Sequence, residues 1–416
     1  MSIACGVDFG TSNSTVGFCG AGRPGLLALE GDKTTLPSAV FFNAEDDQIS
    51  YGRAALADYL AGYEGRLMRS LKSLLGTSLI DGQTEVLGRA LPMRDLLAQF
   101  IGELKRRAEQ ASGRHFDSAV IGRPVFFVDD DLAADRKAEA TLAEIAQRCG
   151  FRSVAFQFEP IAAAFDYESS ITREELVLVA DIGGGTSDFS LVRLSPQRAT
   201  QVDRRSDILA TGGVHIGGTD FDKYLSLACV MPLLGFGSLL QNASAVPSSY
   251  YFNLATWHTI NLVYTQKVWQ QLLEVVRDAR ARDRLARLQD LIRQRNGHWL
   301  AMQVEAGKIA LSSATSVILP LERLQPALEL MLQRDAFDSA ITHLLGNVEA
   351  AVATLLRDAA VPAAQIDTIF FTGGSSGVGA LRERIGRLAP HARLVEGDLF
   401  GSIGMGLGLA AARSFG

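Results

Sequence analysis

The sequence predicts an α/β protein of two similar lobes, and three observations lead there. A strand–Asp–apolar–Gly turn occurs twice, as Val7-Asp8-Phe9-Gly10-Thr11-Ser12-Asn13-Ser14 and as Ala180-Asp181-Ile182-Gly183-Gly184-Gly185-Thr186-Ser187-Asp188, and an apolar strand resumes after each. Apolar runs alternate with helix-period segments along most of the chain, which is the pattern of layered α/β lobes. At 416 residues the chain exceeds one ordinary core, so two lobes or more are expected.

Residues 3–9 and 15–19 read as a hairpin around the first turn, and 37–42 as a further strand. A helical stretch covers 54–63, and 66–75 brings Lys72 in R-S-L-K-S-L-L-G. Residues 91–107 form an amphipathic helix, with Met93, Leu96, Leu97, Phe100, Ile101 and Leu104 at helical spacing. Residues 119–125 read as a buried strand ending at Pro124, and 136–150 as a helix stopped at a Gly. The strand 153–158 runs into Glu159-Pro160-Ile161, where Pro160 suits a first helical turn and leaves Glu159 at its mouth. The strand 176–180 leads to the second turn. Residues 222–335 read as mostly helical and polar, and the Arg run within 267–295 as a solvated helix face rather than a binding patch. Strand 366–371 opens onto Thr372-Gly373-Gly374-Ser375, and the Gly/Ala-rich 402–412 permits close backbone approach.

Composition narrows the function classes. Hydrophobic residues make up 47% and charged residues 21% of the chain, as in a soluble globular protein. A net charge of −6 argues against a nucleic-acid-binding surface. The four cysteines lie far apart with no C-x-x-C pair, so reduced thiols and a cytoplasmic location are expected, and a metal site built on them is not. No basic and apolar leader precedes the first strand, and the most apolar run, 225–240, is short and broken by Pro232, Gly235 and Gly237. Neither a secretory signal nor a membrane span is therefore expected.

One Asp-x-Gly turn alone is most simply a hairpin turn. Two copies with matching flanks point instead to backbone N–H groups presented to phosphate oxygens. The Asp at each strand end is placed to reach a hydrated Mg²⁺. The expectation is a nucleoside triphosphate held between two lobes.

Further motifs follow in order: Lys72 in its K-x-L-x-G setting, Glu159-Pro160 with Ala162-Ala163-Ala164, His215-Ile216-Gly217-Gly218-Thr219-Asp220-Phe221-Asp222, the segment Glu305–Ser313, and Gly373-Gly374-Ser375. Together with the two turns, this series resembles the nucleotide-binding domain of the seventy-kilodalton heat-shock (DnaK-type) chaperones, within the actin, heat-shock chaperone and sugar-kinase superfamily. The resemblance implies a two-lobed actin-like ATPase fold of duplicated ribonuclease-H-like domains, with four subdomains around a central cleft. Lobe I would span 1–175, with an insertion at about 37–115, and lobe II 176–416, with a helical insertion at about 222–335.

The resemblance also implies roles. ATP or ADP would be held by Gly10, Thr11, Ser12 and Asn13 on one side and by Gly183, Gly184, Gly185 and Thr186 on the other. Gly217, Gly218, Glu305, Lys308, Ser312, Gly373, Gly374 and Ser375 would contact the rest of the nucleotide. Asp8 and Asp181 would hold the waters of Mg²⁺. Lys72, Glu159, Asp181 and Thr186 would form the catalytic set, with Lys72 near the γ-phosphate and Glu159 orienting the attacking water. A solvated lysine and a helix-start carboxylate are the plain alternatives for Lys72 and Glu159. Asp188 keeps two readings, a K⁺ ligand or a support of its turn, and His215 reads as a neutral hydrogen-bonded histidine. Pro124 and Arg136 resemble a proline switch and its arginine relay, with Val128-Asp129-Asp130-Asp131 expanding the spacing between them, and a plain surface loop is the equal alternative.

The departures carry expectations of their own. Gly377 stands where the chaperones carry an Arg that flanks the adenine. The chain is expected to lack a peptide-binding module, because it stops soon after the last nucleotide-domain segment. The function expected is a slowly hydrolysing, ATP-dependent chaperone-like switch, with a protein partner at the helices of 222–335 and with neither nucleic acid nor membrane as partner. The rivals are a small-molecule kinase of the same superfamily and an actin-like scaffold or filament protein.

Overall fold

The computed structural model describes residues 4–20, 23–128, 131–201, 203–398 and 401–416. Ile3, where the sequence reading starts the first strand, and Asp129 and Asp130 of the spacer after Pro124 lie outside the described residues. The chain divides into two compact units. The first comprises Met1–Gly213, Val352–Ser376 and Gly386–Gly416, and the second Val214–Ala351 and Gly377–Ile385.

The first unit is built on two sheets of the same topology. One contains β1 (Ala4–Asp8), β2 (Asn13–Gly20), β3 (Arg23–Leu26), β4 (Ser118–Arg123) and β5 (Ser153–Phe158) in the order β5-β4-β1-β2-β3. The other contains β6 (Glu175–Ile182), β7 (Ser187–Leu194), β8 (Ile208–Val214), β9 (Thr368–Thr372) and β10 (Arg393–Glu396) in the order β8-β7-β6-β9-β10. In each, the first strand pairs antiparallel with the second and parallel with the fourth. The repeated turn therefore marks a repeated sheet, with Asp8 opposite Thr15 in one and Asp181 opposite Asp188 in the other.

The central strands are near-continuous apolar runs, as strands covered on both faces require; Val177, Leu178, Val179 and Ala180 are all fully buried. The helix Ser402–Phe415 packs closely on the first sheet and on the helix Glu159–Ser170. A Cβ on Gly17 would stand 1.9 Å from the carbonyl oxygen of Gly404, and one on Gly406 1.9 Å from that of Ala162. This is the close approach expected of the Gly/Ala-rich segment. The helix Met93–Ser112 buries Leu96, Leu97, Phe100, Ile101 and Leu104, as their spacing predicts.

Two local readings differ from the structure. Residues 37–42 form no single strand: Thr35–Pro37 and Ala39–Asn43 are separate, in different sheets, and Ser38 between them donates its backbone N–H to Ser12 O at 2.9 Å, in the register of the first. In the span 66–75, a strand Gly65–Arg69 is followed by a single 3₁₀ turn, Leu71–Leu74, and Ser70 at φ 57° makes the corner. That corner places Lys72 on a turn rather than on a regular helix.

The second unit is largely helical, as read from the sequence. Its helices include Gly218–Leu225, Gln266–Asp278, Arg282–Arg293 and Gly297–Leu311. The hairpin Ser316–Pro320/Glu329–Gln333 was not anticipated; its strands are short and half exposed, so their apolar residues carry no strong period. One described helix, Arg334–Asp358, is long and apolar enough to cross a membrane by length and composition alone. Its Phe337, Ile341, Leu344, Leu345, Val348 and Val352 are buried at 3–4-residue spacing, as on a core helix.

Candidate functional site

Both repeated turns, together with Lys72 and Glu159, lie in the first unit. The first turn is tight enough that a Cβ on Gly10 would stand 2.0 Å from Asn13 O. The second closes on itself, with Gly183 N–H donating to Thr186 O at 2.9 Å and Thr186 Oγ1 donating to Asp188 Oδ2 at 2.7 Å. The two turns meet: a Cβ on Gly184 would lie 2.2 Å from Ser12 Oγ. Sequence copies far apart along the chain thus stand side by side.

Strand ends aim the carboxylates. Asp8 closes β1 and accepts a long 3.5 Å hydrogen bond from Thr15 Oγ1. Asp181 lies one residue before the end of β6, in register with Thr372 on the neighbouring β9. The next residue, Gly373, has φ +80°, and a Cβ there would lie 2.4 Å from Asp181 Oδ1. Only glycine satisfies both constraints, so Gly373 has a backbone reason to be where it is. Glu159 begins the helix Glu159–Ser170 with Pro160 behind it, and Lys72 Nζ forms an ion pair with Glu159 Oε1. Both side chains are only 12–13% exposed.

The four charges act on one another. Burial, and then the Glu159 carboxylate, push the Asp8 carboxyl up to about 7, against the pull of Lys72. Burial, followed by Asp188, Glu159 and Asp8, pushes Asp181 up to about 8. Burial disfavours the Lys72 ammonium, yet Glu159, Asp8 and Asp181 together raise its pKa above the usual lysine value. Lys72 is the one ammonium coupled to all three carboxylates, and it pairs with Glu159. Asp8 and Asp181 hold their protons above the usual carboxylate range because positive charge is short there, and a divalent cation such as Mg²⁺ on their hard oxygens would supply it. Among the described residues, no group of three or more His, Cys, Asp or Glu side chains is arranged to hold a metal by itself. Asp8 and Asp181 thus fit an ion that keeps most of its ligands as water or phosphate.

The remaining predicted residues divide between the units. Gly373, Gly374 and Ser375 belong to the first, where a 3₁₀ turn, Gly374–Gly377, follows Gly373. Gly217, Gly218, Glu305, Lys308 and Ser312 belong to the second. There Gly217 precedes the helix Gly218–Leu225. Lys308 is buried, donating to Asp222 Oδ2 at 2.9 Å and to Gly218 O at 3.1 Å. Glu305 is half-buried, and Ser312 is exposed at the end of the helix Gly297–Leu311. His215 is exposed.

Two residues escaped the sequence reading. Ser38 bonds the first turn through its side chain as well as its backbone, with Oγ donating to Gly10 O at 2.7 Å and lying 2.9 Å from Ser14 Oγ. A serine between two short strands gives no signal that would single it out. The second is Arg123. Arg136 is exposed, and the buried guanidinium beside Pro124 belongs to Arg123. It donates to both carboxylate oxygens of Asp135 at 2.9 Å, to Pro124 O and Val125 O, and it pairs with Glu139. Arg123 pairs in register with Phe158, the residue before Glu159. An arginine ending an apolar strand was the signal available.

Comparison with known proteins agrees with this architecture. The family model described as Hsp70 protein matches residues 77–231 and 278–394. Those segments include Glu159, the second turn, Lys308 and Gly373 but leave out the first turn and Lys72. The chain is similar to the chaperone protein DnaK of Thermus thermophilus, at 26% identity over 93% of this chain and 57% of the relative. It is also similar to the chaperone protein HscA of Citrobacter koseri, at 27% over 97% and 57%, and to HscA of Escherichia fergusonii, at 27% over 92% and 54%. The chain spans a little over half the length of these relatives. With the matched segments covering well over half of its residues, and with the duplicated sheets of an actin-like ATPase fold, the chain belongs to the Hsp70 family.

Proposed function

We propose that this protein is a Mg²⁺-dependent ATP-binding switch that hydrolyses ATP slowly, with lobes at 1–175 and 176–416. The observation that carries the reading is the meeting of the two turns at Ser12 and Gly184, with Asp8 and Asp181 near the ends of the strands that lead into them and the Lys72–Glu159 pair coupled electrostatically to both. Backbone N–H groups of Gly10–Asn13 and Gly183–Thr186 would hold the phosphates. Asp8 and Asp181 would hold Mg²⁺ through its waters, and the ion, when bound, would neutralise phosphate charge. The Lys72 ammonium would stabilise charge as the terminal phosphoryl group departs, and Glu159 would orient a water on its approach line. Gly217, Gly218, Glu305, Lys308, Ser312, Gly373, Gly374 and Ser375 are proposed as further nucleotide contacts, and Asp188 as a possible K⁺ ligand. A chaperone-type role, with a partner read out through the helices of 222–335, rests on the named relatives and on the helical make-up of that segment.

Phosphate release from Mg²⁺-ATP with no second substrate tests the reading. Slow release that stops without Mg²⁺ supports it. Release only when a metabolite is added would instead favour a small-molecule kinase. Nucleotide-dependent sedimentation would favour a filament.

A further inference from the structure

We infer that Ser38 is a positioning residue that sets the first phosphate turn, an inference that rests on the nucleotide reading above. Ser38 lies in neither copy of the repeated sequence. It sits where the chain leaves the strand Thr35–Pro37 and enters Ala39–Asn43, strands of two different sheets. Ser38 is 1% exposed and Ser14 0% exposed, so both hydroxyls are shut away from bulk water.

The protons of this pair can be ordered. A serine hydroxyl has one hydrogen to give. Ser38 directs its hydrogen to Gly10 O at 2.7 Å. The 2.9 Å contact between the two hydroxyls therefore has Ser14 as donor and Ser38 as acceptor. With the backbone bond from Ser38 N–H to Ser12 O at 2.9 Å, Ser38 occupies two carbonyls of the turn, those of Gly10 and Ser12.

The consequence is directional. A peptide whose carbonyl is held on one side presents its N–H to the other. Fixing the Gly10 and Ser12 carbonyls against Ser38 orients the N–H groups of Thr11 and Asn13 away from it. It also fixes Ser12, whose Oγ stands where a Cβ on Gly184 would be. Ser38 thereby sets how closely the first turn approaches the second, and so the spacing offered to a di- or triphosphate. The second turn has Thr186 in the corresponding duty, supplied from its own sequence.

The test is displacement of a fluorescent ADP, in the presence of Mg²⁺, by ADP and by adenosine. Ser38→Ala leaves a buried carbonyl and a buried hydroxyl without their partner. It should weaken ADP about tenfold while leaving adenosine unchanged. Ser38→Cys keeps the volume but donates weakly; it should show a smaller loss with the same selectivity, and it serves if the alanine variant does not fold. Ser14→Ala keeps the bond to Gly10 O and should stay within about twofold of wild type. A purely structural serine would lower the melting temperature without changing the ratio of ADP to adenosine affinity. That unchanged ratio, in a wild type that binds ADP, would overturn the role of Ser38 alone. A wild type that binds neither ligand would overturn the nucleotide reading and this inference with it.

Discussion

The two phosphate turns share a sequence pattern and a sheet topology, yet they are braced differently. The first takes its support from Ser38, across a long separation in sequence, through buried hydrogen bonds. The second supports itself, through Gly183 N–H to Thr186 O and Thr186 Oγ1 to an exposed Asp188. The difference teaches that two turns can share a strand pattern and a sheet topology and still be braced by different partners. It also predicts that the two turns respond unequally to equivalent substitutions.

The largest effect should come from the charge that the two turns share. Lys72 pairs with Glu159, and its charge is coupled to Asp8 and, more weakly, to Asp181. Lys72→Ala should slow ATP hydrolysis by about a hundredfold or more, because a group stabilising developing charge acts mainly in the transition state. ADP affinity should change by no more than about threefold. Single-turnover phosphate release set beside ADP titration separates the two, and wild-type hydrolysis in the variant would reduce Lys72 to an ordinary buried ion pair.

Next comes a pair of glycines. A Cβ on Gly10 meets backbone at 2.0 Å, whereas one on Gly183, the equivalent position, comes no closer than 3.5 Å to Thr186 O. Gly10→Ala should cost about 2–3 kcal/mol of stability, the cost of overpacking against atoms that cannot turn away. Gly183→Ala should stay within about 1 kcal/mol. Urea denaturation reads both. Equal midpoints would mean that the first turn is as adaptable as the second, contrary to the bracing described.

The carboxylates test equivalence rather than difference. Asp8→Asn and Asp181→Asn each remove one carboxyl that a bound cation would hold ionised. Each should cut the Mg²⁺-dependent part of ADP affinity about tenfold, as the loss of one charged contact does. Calorimetry with and without Mg²⁺ measures that part. If only one variant responds, the ion belongs to one turn and the symmetric arrangement is wrong.

How much of this was legible follows from what a sequence encodes locally. The duplicated sheets announced themselves because the strand, the Asp and the Gly are contiguous, and contiguous features repeat visibly. Glu159 was legible because Pro160 behind it marks a helix start. Ser38 was not, since its role depends on a strand break and on a partner in another element. The resemblance drew attention to Arg136, which is exposed, while the buried guanidinium of this region is that of Arg123, whose two carboxylate partners lie on the following helix. The hairpin of the second unit was missed because half-exposed short strands leave little period to read.

The smallest effect should fall on the second turn's own brace. Thr186→Val removes the hydroxyl bonded to Asp188 Oδ2 at 2.7 Å and keeps the branched shape. Asp188 is exposed, so water can replace the lost partner, and the bond from Gly183 N–H to Thr186 O remains to close the turn. An exposed hydrogen bond contributes little net stability, because its groups are solvated either way. ADP affinity should therefore fall by about two- to threefold, well short of the tenfold expected for Ser38→Ala. The comparison needs both variants in the same ADP displacement assay. A larger loss for Thr186→Val than for Ser38→Ala would reverse the order and assign Thr186 a direct phosphate contact. The catalytic place given to Thr186 by resemblance would then outweigh its service as a local brace.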